Sequence, residues 1–411
     1  DNPVNAAANA DVVRSERLHV TDSWGTMVIG DSATQTWHWA SSLDHVAGDD
    51  WTKRLTTHVA GIAEPFSVRL DAPDSGWTAD VLGSTLFRCT PDAPHVPEIA
   101  DGRILFRASG PGERRTITAG FSAGGSVFRL SFGSDSQGIA VQVAPPDSAI
   151  AAESADESAA FRELPFGFPA VVTVYAGSAD ASLQRNTDEE IHTIPRGSLL
   201  RWTTSSDAPD AVDSSVMPEW VFHGAQPTAE VTSEMMRDMA DRLSTFESVS
   251  GAVLELSADR NAQVAAYAVR LPALTRNTEE LSALLLQSET EAVRREAIRG
   301  LRQIIRQLPD GRRRITSALE KRLSEAELEP TVFMLEGVSR IAAEDPQTCA
   351  DLVGLLDSKR TAIRELAIFN LEELTGERHG YFAGDDSGRR DAAVRRWKRT
   401  LDRNDGLLLP R

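Results

Sequence analysis

The sequence predicts a multidomain β + α protein: an N-terminal antiparallel β-sandwich or barrel, then a C-terminal α-solenoid of stacked helical pairs. Three observations predict it. Between Val12 and Trp202 short runs alternate with period two, punctuated by Gly, Pro, Asp and Ser. From Val231 onward the apolar period becomes 3.6. Within that second half one phrase occurs twice, at an offset of 70 residues. The boundaries read as a lead-in over 1–11, a β domain over 12–202, a linker over 203–230, a helical domain over 231–403 and a tail over 404–411.

The lead-in begins Asp1-Asn2-Pro3-Val4-Asn5 and continues Ala/Asn-rich, which reads as a remnant of cleavage or trimming. In the β half, Ser67-Val68-Arg69-Leu70 and Arg103-Ile104-Leu105-Phe106-Arg107 alternate. The run Val127 to Phe132 places Phe128, Leu130 and Phe132 on one face, with Val127, Arg129 and Ser131 on the other. Ile139–Val143 and Val171–Tyr175 predict two more strands. No long helical pattern intervenes, so an antiparallel sheet is expected. Residues 145–160 follow Pro145-Pro146 and read as a surface loop. The linker is rich in Ser, Asp, Pro and Ala, with Trp220, Val221 and Phe222 expected to dock on a neighbour.

The helical half opens with Thr232 or Ser233 as a cap, then Met235, Met236, Met239 and Leu243 at helical spacing. Breaks are expected at Gly251, Ser257-Ala258-Asp259, Pro272, Pro309-Asp310-Gly311, Pro330, Asp345-Pro346 and Gly376. The repeated phrase is Leu285-Leu286-Gln287-Ser288, then Val293-Arg294-Arg295-Glu296-Ala297-Ile298 and Leu301. It recurs as Leu355-Leu356-Asp357-Ser358, then Ile363-Arg364-Glu365-Leu366-Ala367-Ile368 and Leu371. An offset of this size spans two helical pairs of the HEAT type. Val264–Leu271 resembles the phrase weakly, and Ile315–Ile341 reads as a degenerate unit between the two clear ones. A helical pair cannot bury its apolar face alone, so three to five pairs stack and present a surface to a partner.

The chain carries a formal net charge of −18. Residues 1–228 hold 30 acidic and 15 basic side chains; residues 229–411 hold 31 and 28. An acidic front half argues against nucleic acid, whose phosphates need a basic face. No apolar run reaches the roughly 18 residues of a membrane helix. Two cysteines, Cys89 and Cys349, fall in different halves and predict neither a disulfide framework nor a metal site.

Few motifs carry chemistry. Gly120-Phe121-Ser122-Ala123-Gly124 fits the pattern of a hydrolase elbow, but that elbow needs a helix after it, and a strand from Val127 follows. A hairpin is expected instead. The eight histidines form no metal-binding spacing, and no phosphate-binding glycine loop is present, so no cofactor is expected. Trp37 and Trp39 share one side of a strand. Core packing is the expected role; an exposed pair would stack on a sugar ring. Arg294 and Arg364 hold the same place in the two phrases and are expected to hydrogen-bond between stacked repeats. Val394, Trp397 and Leu401 make one apolar stripe among Arg395, Arg396, Lys398 and Arg399, as in a helix that caps an array. The basic runs there and at Arg312-Arg313-Arg314 read as solvated helix faces.

Three ordered fragments of the β half resemble the FecR-like domain of bacterial iron-citrate-type sensor and anti-sigma regulators. They are Trp24-Gly25-Thr26-Met27-Val28-Ile29-Gly30-Asp31, Val172-Thr173-Val174-Tyr175-Ala176-Gly177-Ser178, and Ile194-Pro195-Arg196-Gly197-Ser198-Leu199-Leu200-Arg201-Trp202. The stretch Leu374-Thr375-Gly376-Glu377-Arg378-His379-Gly380-Tyr381-Phe382, with Asp391 to Trp397 after it, is similar to the close of the helical segments behind such domains. There Gly376 ends one helix and Tyr381 packs under the last. The resemblance implies a non-enzymatic scaffold or signal-relay ectodomain on the periplasmic or envelope side of a bacterial membrane. It implies a protein partner, and membrane contact only through an anchor upstream of Asp1. The alternative expectation is a binder of carbohydrate or cell-wall polymer through Trp37 and Trp39.

Overall fold

The computed structural model describes residues 19–23, 27–31, 36–40, 55–90, 93–110, 115–134, 136–146, 166, 168–210, 216–223, 233–243, 245–246 and 248–409. The lead-in and most of the 145–160 loop lie outside them, as do Trp24, Gly25 and Thr26 of the first resembling fragment and the candidate cap Thr232. The chain forms two compact units, the first reaching Val249 and the second beginning at Ser250.

The first unit is built of strands β1 (His19–Ser23), β2 (Met27–Asp31), β3 (Thr36–Trp39), β4 (Val59–Ile62), β5 (Ser67–Ala72), β6 (Trp77–Leu82), β7 (Thr85–Thr90) and β8 (Ala93–Ala108). It continues with β9 (Thr116–Ala123), β10 (Ser126–Gly133), β11 (Ile139–Ala144), β12 (Val171–Ala176), β13 (Ala181–Arg185), β14 (His192–Ile194) and β15 (Ser198–Thr203). All five runs read as strands from the sequence are strands. In β10 the alternation holds: Phe128, Leu130 and Phe132 are buried, while Val127 and Arg129 face out.

Two ladders share β8. One runs β1-β5-β6-β8-β11-β12-β15; the other runs β14-β13-β10-β9-β8-β7-β4-β2-β3. Asp101 still pairs with Leu86 of β7, whereas Gly102 pairs with Val143 of β11. The strand therefore changes ladders at Gly102, where φ is +136° and a Cβ would stand 2.1 Å from the Thr85 hydroxyl. Thr85 is fully buried, and its hydroxyl accepts from Arg103 N at 2.9 Å. Only glycine fits there. The expected antiparallel sheet is corrected at one place: β8 and β9 meet in parallel through Glu98 and Ser122, so the sheet is mixed. That contact follows from the turn of β8 out of one ladder into the other.

An aromatic row fills the interior. Trp77 meets Phe106 at 5.5 Å, Phe106 meets Phe121 at 6.1 Å, Phe121 stacks on Phe128 at 5.3 Å, and Phe128 meets Trp202 edge-on at 5.7 Å. Trp77, Phe106 and Trp202 come from one ladder, Phe121 and Phe128 from the other. Each such ring buries about 150–250 Å², roughly 5 kcal/mol of gross transfer free energy. Past β15, the short helix α1 (Trp220–His223) docks on this unit as expected. Val221 packs with Leu105, Ala140 and Tyr175, and Trp220 meets the Tyr175 ring edge-on. Helix α2 (Ser233–Leu243) also groups with the first unit, with Met239 and Leu243 buried.

The second unit contains α3 (Val249–Leu256), α4 (Ala262–Leu274), α5 (Thr278–Gln287), α6 (Glu291–Gln307), α7 (Gly311–Glu320), α8 (Glu325–Glu336), α9 (Pro346–Gly354), α10 (Thr361–Thr375) and α11 (Ser387–Arg403). Caps fix several starts. Asn277 accepts from Glu280 N before α5, and Asp345 accepts from Gln347 N and Thr348 N before α9. Ser324 and Glu327 form a capping box at α8. In α6 the stripe Val293, Ala297, Ile298, Leu301 and Ile304 is fully buried.

Three expected breaks are corrected. Gly251 lies inside α3, Pro272 inside α4 and Pro330 inside α8. The Pro272 ring is itself buried, and Val332, Met334 and Leu335 bury the far end of α8. Packing of these faces outweighs the local backbone cost. The stretch after α11 is no loose tail over its described part, since Leu407 and Leu408 are buried against the helical core.

Candidate functional site

The duplicated arginines do the same local job twice. Arg294 donates to Ser288 O and Glu289 O, both at 2.9 Å. Arg364 donates to Ser358 O at 2.8 Å and Lys359 O at 2.9 Å. Each guanidinium thus satisfies carbonyls of the turn that leads into its own helix. Their remaining hydrogen bonds differ. Arg294 reaches Glu365 Oε2 at 3.1 Å, while Arg364 donates twice to Ala383 O. The tie between repeats that the sequence suggested is therefore present at Arg294; Arg364 instead anchors the loop before α11.

These contacts join the two copies of the phrase directly. Arg295 pairs with Glu372 at 2.8 Å, and Arg302 pairs with Glu373. Arg302 also donates to Asn370 Oδ1 at 2.6 Å and to Met334 O at 2.8 Å. Asn370 in turn donates to Met334 O and accepts from Val338 N, which closes the end of α8. The guanidinium groups of Arg295, Arg299 and Arg302 all approach the Phe369 ring. In a simple solenoid each repeat touches only its neighbours; here α6 meets α10 across the intervening pair.

Glu365 is fully buried. Burial pushes its carboxyl above the ordinary range and Glu291 adds to the rise, while Arg294 and Arg295 pull the other way. Sequence reasoning missed Glu365, Arg302 and Asn370. Their signal is phase: Arg302 stands four residues after Ile298 and Asn370 four after Leu366, inside apolar stripes rather than beside them.

At the other end of the unit, Trp397 is fully buried and packs on the His379 ring at 4.3 Å. Gly376 ends α10 in the left-handed region, and Tyr381 lies fully buried with its hydroxyl donating to Leu356 O at 2.5 Å. Burial raises the Tyr381 hydroxyl well above its usual range.

In the β unit, Trp39 is fully buried and Trp37 half-buried on β3, so the two do not form an exposed platform. Ser122 is the penultimate residue of β9, opposite Val127, and Gly124 and Gly125 make the hairpin turn that the sequence predicts. Cys89 and Cys349 are both buried, and burial pushes the Cys89 thiol up to about 12. Among the described residues no cluster of three or more His, Cys, Asp or Glu is placed to hold a metal. No described helix is long and apolar enough to cross a membrane.

One open cleft of about 530 Å³ lies on the helical unit. Val253, Leu254, Ser257 and Ala258 of the α3 side face Glu280, Ala283, Leu284 and Gln287 of α5, with Ser288, Glu289 and Thr290 closing one end. Leu254 is 79% exposed at its mouth. Burial raises the Glu280 carboxyl to about 7, although Asn277 Nδ2 donates to it at 3.0 Å. No family model, curated protein or solved structure matches this chain.

Proposed function

We propose that the chain is a non-enzymatic protein-interaction scaffold, the signal-relay ectodomain of a bacterial envelope protein. Its β unit is read as a FecR-like sandwich, its faces locked by the aromatic row from Trp77 to Trp202. Its helical unit is read as a short HEAT-like array, drawn tight where α6 meets α10. One observation carries the reading. The residues that the sequence repeats, Arg294 and Arg364, are spent on holding turns and helices in place. Repetition here serves rigidity, and a rigid helical array with an open flank suits a partner. The FecR resemblance supports the envelope setting. The glycan alternative draws no support from Trp39, which is buried.

The test is affinity capture with the full chain under native conditions from an envelope extract. Recovery of one protein in stoichiometric, salt-stable association is expected. Failure to recover any protein partner overturns the reading.

A further inference from the structure

The cleft on the helical unit has a composition that selects its occupant. Its walls are aliphatic at Val253, Leu254 and Leu284, and two carboxylates, Glu280 and Glu289, stand among them. No lysine or arginine is among the lining residues. Three cations near α5 are engaged elsewhere. Arg294 is turned onto the Ser288 and Glu289 carbonyls and Glu365, while Lys321 and Arg322 pair with Glu279. Glu280 keeps only an amide donor, Asn277, as its hydrogen-bond partner. An apolar wall beside a carboxylate without a countercharge favours a cation on an aliphatic stem, whose methylenes cover Leu254 and Leu284 while its head meets Glu280. The volume lies within the roughly 300–1,000 Å³ of small binding sites.

We propose that this cleft receives a lysine or arginine side chain of a partner protein, together with an adjoining aliphatic residue. The inference rests on the scaffold reading and names the chemistry of the partner.

The test uses the full chain with methyl-labelled Leu and Val, titrated at about pH 8, where Glu280 is ionised, and at constant ionic strength, with n-pentylammonium, a mimic of the lysine side chain, and with neutral n-pentanol. Saturable shifts centred on the Leu254 and Leu284 methyls are expected, at least fivefold tighter for the ammonium. Glu280→Gln, with an otherwise unchanged methyl spectrum, is expected to bring the two ligands level. Ammonium shifts that never saturate, that spread over the acidic β unit, or that survive Glu280→Gln overturn the proposal. A parallel capture with wild type and Glu280→Gln separates the two readings. Loss of at least fivefold of the captured partner in the variant supports the cleft. Undiminished capture overturns the cleft and leaves the scaffold standing, and an empty wild-type capture overturns both. Concentration-dependent dimers dissolved by n-pentylammonium would place a second copy there instead and also overturn it.

Discussion

Replacing Arg294 by Met probes the polar core at its most committed point. Met keeps an unbranched apolar stem in a site that is 2% exposed, so little packing is lost. What disappears is three hydrogen bonds, to Ser288 O, Glu289 O and Glu365 Oε2. Glu365 is then left fully buried, with Arg295 the nearest cation at 3.6 Å. Removing one member of a buried pair costs about 3–5 kcal/mol, because the other member stays desolvated. The two turn carbonyls add about 1 kcal/mol each if water does not reach them. We expect Arg294→Met to lower the stability of the helical unit by about 5–7 kcal/mol, read as a lower urea midpoint at 222 nm with unchanged slope. Adding Glu365→Leu removes the stranded carboxyl, so the double variant should recover about 2 kcal/mol of that loss. A single variant within about 1 kcal/mol of wild type would refute the reasoning. So would a double variant as unstable as the two single changes summed.

Further outcomes follow from the same geometry. Glu280 is raised from 4.5 to about 7 in the folded chain, so the native state binds the extra proton between these values and stability falls as pH rises through that window. The full difference is about 3 kcal/mol, reduced to about 1–2 by the partial exposure of the side chain; urea midpoints from pH 4.5 to 8 should fall in wild type and fall less in Glu280→Gln. Gly102→Ala should cost about 3–5 kcal/mol, because it sets a Cβ against Thr85 at a φ of +136°; a near-UV melt as cooperative and as high as that of wild type would contradict it. Trp397→Ala should cost about 3–5 kcal/mol in the helical unit, since the ring is fully buried beside His379; an unchanged helical melt would show that α11 adds nothing to the core.

Period and repetition made much of the architecture legible. Phe128, Leu130 and Phe132 announce their buried face by alternation alone, and the Gly124-Gly125 turn marks its hairpin without reference to anything distant. The passage of β8 from one ladder to the other is not legible, because Gly102 is demanded by Thr85, seventeen positions earlier and on another strand. The polar core divides along the same line. Arg294 and Arg364 are visible because the turn each one holds is repeated with it, six residues upstream in both copies. Their outward hydrogen bonds depend on what the fold brings beside them, which is Glu365 for one and the Ala383 carbonyl for the other. Glu365 reads locally as an ordinary helix-surface charge, yet burial and two arginines define it. The cleft follows this rule as well. Glu280 looks like a residue of a helix first turn, and only the approach of α3 turns it into the wall of a site. What the chain repeats is thus its internal scaffolding, and what it offers a partner arises where unrepeated residues such as Leu254 and Glu280 are brought together.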